Sequence, residues 1–281
     1  MRVRAFAKIN LSLRVLGVRA DGYHELRTIF QSIALHDTLT IRPVRGPFRL
    51  TCDDPGCPAD DTNLVWRAAE RLWKAAGRRG KVRDVAIDLE KRIPLQAGLG
   101  GGSTDAAAAL RALGRLWGID ERKVRGVAAA IGADVPYFFE GGTVLGLERG
   151  DLLFPLLDRP AAWVVLLFPG FGVSTKEAFA WWDVAASSFD SGRVEGSKDE
   201  LVNDLEAPVA GRHPEVARAV RALHRAGASH AAMSGSGSAV FGLFSRRPDA
   251  VRAAAALAAA TPRRIVTRTL NRSKYQALAA K

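Results

Sequence analysis

A glycine-rich segment between a candidate strand and a strong candidate helix constrains this chain more than any other feature. Residues 94–104 read PLQAGLGGGST, and four of the five residues 98–102 are glycine. Because glycine lacks a Cβ atom, backbone amides in such a run can approach a ligand closely. The N-terminus of the helix that follows adds unpaired N–H groups and a partial positive charge. Together these features predict a phosphate-binding site at the start of a helix.

Better-known phosphate-binding motifs do not match this segment. A Walker loop has a lysine after its glycines, which is missing here, and the dinucleotide-binding pattern would place a third glycine at Ser103. The alternative is a flexible loop or a tight helix entry without a ligand, but so many glycines at a helix start favour phosphate binding. Ser103 and Thr104 would add hydroxyl groups for helix capping, phosphate contact or metal contact.

A second glycine-rich run, residues 233–238 (MSGSGS), precedes a candidate strand near the C-terminus. By itself this signal is weak, because serine–glycine runs are often plain loops. Paired with the first run, it suggests that two glycine-rich segments form the walls of one site.

The rest of the chain mixes strand and helix patterns. Residues 5–15 alternate apolar and mostly polar side chains with the period of two that predicts a strand. Further extended patterns lie at 30–41, 85–91, 163–168, 238–244 and 264–269. Helical patterns lie at 63–76, 105–117, 121–131, 214–226 and 248–260, and surface loops are expected at 44–61 and 185–199. This mixture predicts the α+β or α/β class, with a domain boundary near residues 155–160.

Composition argues against several classes of protein. The longest apolar runs have about eight residues, and a membrane-spanning helix needs roughly twenty. The two cysteines, Cys52 and Cys57, predict neither a disulfide framework nor a zinc site. A cytoplasmic location is therefore expected. The net charge of +12 fits an arginine-rich protein or one that attracts polyanions. Nucleic-acid binding is disfavoured because aromatic residues make up only 7% and no basic tract is present.

Three of these segments, in order along the chain, resemble the motifs of the GHMP kinase superfamily. They are the N-terminal strand, the Pro-x-x-x-Gly-Leu-Gly-Gly-Gly-Ser loop and the late Gly-Ser-Gly loop. Four stretches narrow the resemblance to the branch that phosphorylates a cytidine diphosphate-linked methylerythritol: AKINL at 7–11, DGYHEL at 21–26, GADVPYF at 132–138 and MSGSG at 233–237. The resemblance covers residues 5–245, and Thr104 stands where a second serine is commoner.

The resemblance implies an activity and an architecture. Such a kinase moves the γ-phosphoryl group of ATP to the 2-hydroxyl of the methylerythritol moiety, with Mg²⁺, in the non-mevalonate isoprenoid pathway. The implied fold is α+β with two domains, residues 1–157 and 158–281, and with the active site in the cleft between them. The expected partner is a small molecule, and neither nucleic acid, a membrane nor an obligate protein partner is expected. Another kinase of the superfamily, acting on mevalonate, homoserine or a sugar, is the alternative.

Two residues are candidates for catalysis. Asp134 can accept the hydroxyl proton as a general base, although from the residues alone it could equally cap a short helix around residues 137–138. The resemblance favours the base. Lys8 lies in the middle of a strand, where a lysine usually faces solvent, and by resemblance it lies near Asp134 and the acceptor hydroxyl. Asn10 points to the same side of the strand and would hydrogen-bond the substrate.

The resemblance also implies the binding residues. His24 would hydrogen-bond the edge of cytosine, with Tyr23 beside it, and an aromatic ring would stack on the base. Phe179 is the candidate for that ring, although Trp181 and Trp182 lie close by in the sequence. Gly235 and Gly237 would contact substrate. The nucleotide would contact Pro94, Leu95, Gln96, Ala97, Gly98, Leu99, Gly100, Gly101, Gly102, Ser103 and Thr104, together with Asn63 and Leu64. For Asn63 the alternative is a helix cap.

Overall fold

The computed structural model describes residues 1–187, 201–258, 261 and 263–280. Its elements, in chain order, are β1 (Arg2–Val18), β2 (His24–Pro47), β3 (Arg49–Cys52), α1 (Leu64–Ala75), β4 (Arg83–Glu90), α2 (Gly101–Trp117), α3 (Glu121–Ile131), α4 (Tyr137–Glu140), β5 (Thr143–Glu148), β6 (Leu152–Pro155), β7 (Trp163–Leu167), α5 (Thr175–Ser187), α6 (Glu206–Arg212), α7 (Pro214–Arg225), β8 (His230–Met233), β9 (Val240–Phe244), α8 (Arg247–Ala256), β10 (Arg264–Arg268) and α9 (Arg272–Ala279). This α+β content agrees with the predicted class.

The first sheet has six strands, in the order β3-β4-β2-β5-β6, with β1 paired to β2. Helices α1 and α2 pack on it, and their alanines and leucines share one core with its strands. Ala7, Ile9 and Leu11 of β1 belong to a different core, shared with β7 of the second sheet. Because side chains alternate along a strand, Lys8 and Asn10 point the other way.

The second sheet has four antiparallel strands in the order β10-β7-β9-β8. Val164 and Leu166 of β7 pack toward β1, whereas Val165 and Leu167 pack against α5, α6 and α7. Both faces of β7 are therefore covered, which explains its unbroken apolar pattern. The two sheets flank the predicted boundary at residues 157–158, which stays a prediction.

Several predicted boundaries differ from the structure, three of them in a way that changes the reading of a segment. Residues 44–61 were expected to form a loop, but β2 runs to Pro47 and β3 follows it, because Phe48 and Leu50 are buried. Helix α2 begins at Gly101, four residues before the predicted start, and no side chain caps it. Helix α5 extends to Ser187, inside the predicted loop at 185–199. Residues 188–199 of that loop, and 259–260 of the predicted helix at 248–260, lie outside the described residues.

No helix within the described residues is long and apolar enough to cross a membrane.

Candidate active site

One large cavity, of about 1100 Å³, lies where the two sheets meet. Its wall combines β1 and β2, the glycine-rich loop before α2, helix α5 and the loop after β8. Most of the predicted site residues line it, namely Lys8, Asn10, Tyr23, His24, Leu64, Pro94, Leu95, Gln96, Ala97, Gly98, Leu99, Gly100, Gly101, Gly102, Ser103, Asp134, Phe179 and Gly235. Asn63, Thr104 and Gly237 are not among its lining residues.

The glycine-rich loop enters α2 through a left-handed residue. Gly100, the N-cap, has φ 71°, and a Cβ atom there would lie 2.7 Å from Cζ of Phe138. Only glycine fits this approach without displacing the ring. No side chain caps the helix at Gly100, and Gly101, Gly102 and Ser103 of its first turn line the cavity, so their N–H groups are available to a ligand there. The expected cap by Ser103 or Thr104 is absent, and Thr104 is buried.

Lys8 and Asp134 form an ion pair at the cavity wall. Nζ of Lys8 lies 3.4 Å from Oδ2 of Asp134 and donates to Oδ1 of Asn10 at 2.6 Å. Lys8 is 4% exposed, so its ammonium group is not a solvated surface charge. The N-cap of α4 is Pro136, and no side chain caps that helix, so Asp134 does not act as a helix cap. A partly exposed carboxylate beside a buried ammonium group is suited to accept a proton from a bound ligand.

The two glycine-rich segments touch each other. The Ser234 hydroxyl donates to the carbonyl of Gly98 at 2.9 Å and accepts the backbone N–H of Asn10 at 3.2 Å. A Cβ atom on Gly98 would lie 1.9 Å from the carbonyl oxygen of Ser234, so the backbones meet without room for a side chain. The pairing suggested by the sequence is therefore a direct contact.

Aromatic rings cover the far end of the cavity. His24 stacks on Phe179 with ring centroids 4.5 Å apart, and its Nε2 lies 2.7 Å from Oδ1 of Asp183. Trp182 meets the edge of the same imidazole ring, whereas Trp181 packs against Arg212. Of the three candidate stacking rings, only Phe179 lines the cavity. Asp183 has no counterpart among the predicted residues, because its contact with His24 depends on the folding of α5 over β2.

Tyr23 and Asn63 differ from simple wall residues. Tyr23 is 57% exposed, and Arg149 lies over its ring at 5.3 Å. Oδ1 of Asn63 accepts the N–H of Val65 at 2.8 Å, which is the helix-cap alternative considered above. Its neighbour Leu64 lines the cavity instead and contributes an apolar side chain to the wall.

A buried ion cluster lies under the glycine-rich loop, and sequence reasoning missed it. Nζ of Lys91 donates to Oδ2 of Asp105 at 2.7 Å and also to Asp37. Asp37 further accepts the N–H groups of Arg92 and Ile93 at 2.5 and 2.8 Å. The available signal was Asp105, a single acidic residue just before the alanine run of α2. An acidic residue in a buried helix needs a partner, because acidic residues are rarely buried without one.

Burial and the neighbouring charges change the pKa values of Asp105 and Lys91 in this cluster. Burial, with a further effect of the neighbouring Asp37 carboxylate, raises the pKa of Asp105 to about 8. Burial opposes the charge of Lys91, but Asp105 and Asp37 outweigh it and raise its pKa above the ordinary value. One ammonium group faces two carboxyl groups, so a proton on Asp105 makes the buried cluster neutral.

Known proteins are similar to this chain over nearly its whole length. Residues 63–142 match the family model of the GHMP kinases N terminal domain, and residues 185–263 match that of the GHMP kinases C terminal domain. The 4-diphosphocytidyl-2-C-methyl-D-erythritol kinase of Moorella thermoacetica is 43% identical, over 95% of this chain and 98% of that protein. Its counterpart in Solibacter usitatus is 42% identical, over 98% and 90%.

Solved structures agree with these relatives. A crystal structure of 4-(cytidine 5'-diphospho)-2C-methyl-D-erythritol kinase superposes with a TM-score of 0.78 at 36% identity, over 96% of this chain and 99% of that one. The homoserine kinase of Cytophaga hutchinsonii superposes with a TM-score of 0.69 at 20% identity, over 98% and 96%, which shows a shared fold alone. The chain therefore belongs to the 4-diphosphocytidyl-2-C-methyl-D-erythritol kinases, a family of small-molecule GHMP kinases.

Proposed function

We propose that this chain transfers the γ-phosphoryl group of ATP to the 2-hydroxyl of 4-diphosphocytidyl-2-C-methyl-D-erythritol. The observation that carries the proposal is the Lys8–Asp134 ion pair, 3.4 Å apart, in the same cavity wall as the uncapped start of α2. Phosphoryl transfer needs a cradle for phosphate and a route for the hydroxyl proton, and these two features supply both.

In the proposed reaction the glycine-rich loop, Asp134 and Lys8 have different roles. The N–H groups of the glycine-rich loop bind the phosphates of ATP. The Asp134 carboxylate accepts the proton of the 2-hydroxyl as its oxygen bonds to the γ-phosphorus, and the bond from that phosphorus to the β–γ bridging oxygen breaks to release ADP. Lys8, held by Asn10, pairs with the Asp134 carboxylate and stabilises negative charge on the attacking oxygen.

Mg²⁺ fits this donor set as a partner of the nucleotide. Among the described residues, no group of three or more His, Cys, Asp or Glu could hold a metal ion. Mg²⁺ commonly binds through substrate phosphates with one or two protein oxygens, and Ser103 and Asp134 both line the cavity. When bound, the ion would neutralise phosphate charge.

The cytidine end would be recognised at His24 and Phe179. A half-buried aromatic surface with one polar ring edge suits a flat heterocycle that needs both stacking and hydrogen bonds. Phe179 now contacts His24 directly, so we propose that the base separates the two rings or packs beside them. The cytoplasmic location expected from the sequence stays a prediction.

The test is acceptor-dependent release of ADP. Purified protein, ATP and Mg²⁺ are incubated with the cytidine diphosphate substrate, free methylerythritol, homoserine, mevalonate or galactose, and phosphorus NMR locates the new phosphate ester. We expect turnover with the cytidine diphosphate substrate and an ester at its 2-oxygen. Equal turnover on homoserine, mevalonate or galactose would replace the proposal with another activity of the superfamily.

A further inference from the structure

The segment 202–206 (VNDLE) contacts β1, the end of β8 and the loop after β8. Its backbone runs beside β1, with the N–H of Leu13 donating to the carbonyl of Val202 at 2.8 Å and that of Asp204 donating to Leu13 at 2.9 Å. Asp204 accepts the N–H of Val15 at 2.9 Å, and Glu206 accepts that of Met233 at 2.7 Å. These contacts explain how the segment is held in place.

Asn203 contacts the loop after β8. Its Nδ2 donates to the carbonyls of Met233 and Gly235, both at 2.8 Å, and its Oδ1 accepts the N–H of Leu205 at 3.0 Å. Asn203 is buried, so water does not readily replace these bonds. Two donors for two carbonyls and one acceptor for one amide are what a carboxamide offers, and neither Asp nor Leu offers the same set.

The loop that Asn203 holds packs against the proposed catalytic residues. A Cβ atom on Gly235 would lie 3.1 Å from Oδ1 of Asn10 and 3.4 Å from Nζ of Lys8. Gly235 has φ 55°, and its carbonyl is one of the two that Asn203 binds. A shift of this loop therefore changes the space beside Lys8 and Asn10.

We propose that Asn203 is a positioning residue, which fixes the carbonyls of Met233 and Gly235 so that the loop holds Lys8 and Asn10 in the geometry for phosphoryl transfer. This inference rests on the proposed function, because it assigns Lys8 and Asn10 to the reaction. Asn203 itself lies outside the cavity wall, so it acts through the loop.

Asn203→Ala removes both donors and leaves two carbonyls unpaired. We expect kcat to fall about tenfold or more and the KM for the acceptor to rise. The KM for ATP should change less than the KM for the acceptor, because Asn203 acts on the glycine-rich loop through the contact of Ser234 with Gly98, two residues before the N-cap of α2. A general loss of folded protein would lower kcat without moving either KM.

Asn203→Asp gives a signature that a purely structural role does not produce, and its nearly equal size keeps the test available if the alanine variant fails to fold. A carboxylate would face two carbonyl oxygens, which disfavours its charged form. Once protonated, the acid can donate to one of them. We expect kcat relative to the wild type to rise severalfold as pH falls from about 8.5 to about 6. Glu206 accepts the N–H of Met233 beside the same loop, and the wild type, which also carries Glu206, is the reference at each pH.

Asp204→Asn is the matched control. Asp204 belongs to the same segment, but its carboxylate contacts Val15 and Arg14 of β1 rather than the loop after β8. This variant should melt at a lower temperature and keep its kinetic constants within about twofold.

Three results would overturn the proposal: wild-type kinetics in Asn203→Ala, equal kinetic losses in Asp204→Asn, or a ratio for Asn203→Asp that does not change with pH. Failure of the proposed function has a separate signature, because the wild type would then not use the cytidine diphosphate acceptor. The same comparison would then be made on the acceptor from the panel that the wild type does phosphorylate.

Discussion

Among single residues, the proposed phosphoryl transfer depends on the ion pair of a buried lysine, Lys8, with a partly exposed aspartate, Asp134. Lys8 is nearly inaccessible and has an amide oxygen, a carboxylate and the Phe30 ring as neighbours, the ring centroid lying 5.4 Å from Nζ. Asp134 remains one-third exposed, with 32% of its side chain accessible. This asymmetry suits a fixed cation that steadies a carboxylate still open to a ligand.

Asp134→Asn keeps the size of the side chain but cannot take a proton. General-base catalysis contributes about 10² to 10⁴-fold, so we expect kcat to fall on that order while ATP affinity changes little. Lys8→Ala should also lower kcat, and the double variant should lose less than the two single losses combined, because the residues act as a unit. Steady-state kinetics and a thermal melt of each variant provide the check. More than about a third of wild-type kcat in folded Asp134→Asn would return the search for the base to other residues.

The raised pKa of Asp105 predicts that stability depends on pH. Burial raises its pKa to about 8, compared with about 3.9 in an unfolded chain. Between these values the folded protein keeps a proton that the unfolded chain has released, so this group's contribution to the free energy of unfolding falls as pH rises. Asp105→Asn cannot titrate, and we expect it to be more destabilised relative to the wild type at pH 5 than at pH 8.5.

Urea unfolding at the two pH values measures this difference for Asp105→Asn and for a control, Asp88→Asn. Asp88 pairs with Arg42 on the exposed face of the sheet, where ion pairs contribute little. The control should stay close to the wild type at both values. A destabilisation of Asp105→Asn that does not change with pH would contradict the raised pKa.

At the scale of elements, the start of α2 separates the folding role of glycine from its binding role. Gly100 needs its left-handed conformation and its contact with Phe138, whereas Gly102 has an ordinary φ and only Leu64 nearby, at 3.6 Å from a built Cβ atom. The two positions lie two residues apart, Gly100 at the N-cap of α2 and Gly102 in its first turn, but they face different demands.

Gly102→Val should therefore weaken nucleotide binding and leave the fold intact, because its side chain enters the space beside Leu64 at the proposed nucleotide wall. We expect at least tenfold weaker ATP binding, or about 1.4 kcal/mol, with a melting temperature near that of the wild type. Gly100→Ala should instead lower the melting temperature. Calorimetric titration and a thermal melt distinguish them, and unchanged ATP affinity in Gly102→Val would remove this loop from the nucleotide site.

At the scale of the whole molecule, the cavity exists only because two sheets meet along β1. The strand contributes Ala7, Ile9 and Leu11 to the core between the sheets and Lys8 and Asn10 to the cavity wall. ATP and the cytidine diphosphate acceptor would each contact segments from both sides of this cavity, so we expect their binding to stabilise the protein as one unit. A ligand at a hundred times its Kd adds about 2.7 kcal/mol.

His24 tests whether the far end of this cavity sets specificity. Its ring contacts Phe179 and Asp183 of α5, which belongs to the other side of the cavity. We expect His24→Ala to raise KM for the cytidine diphosphate acceptor more than it lowers kcat, because the reacting hydroxyl lies elsewhere. Thermal shift with the acceptor should fall in the same variant, while the shift with ATP persists. An unchanged KM would place the base outside this end.

Local elements, and the segments that line the cavity, could be predicted from the order of the residues. Period-two alternation indicated β1, alanine-rich helical spacing indicated α2, and the dense glycines indicated a phosphate-binding turn, because these signals are properties of neighbouring residues. Strand β3 and the burial of Phe48 and Leu50 went unpredicted, since proline, glycine and aspartate nearby have the composition of a loop.

Tertiary structure alone decided which charges are buried and which distant groups meet. Nothing local distinguishes Lys91 from a surface residue, and its pairing with Asp105 and Asp37 depends on strands and a helix packing together. The same holds for Asn203, which lies 30 residues from Met233 in sequence and binds its carbonyl. Local propensity acts over a few residues, whereas the desolvation of a charge or an amide depends on whatever the whole fold brings against it.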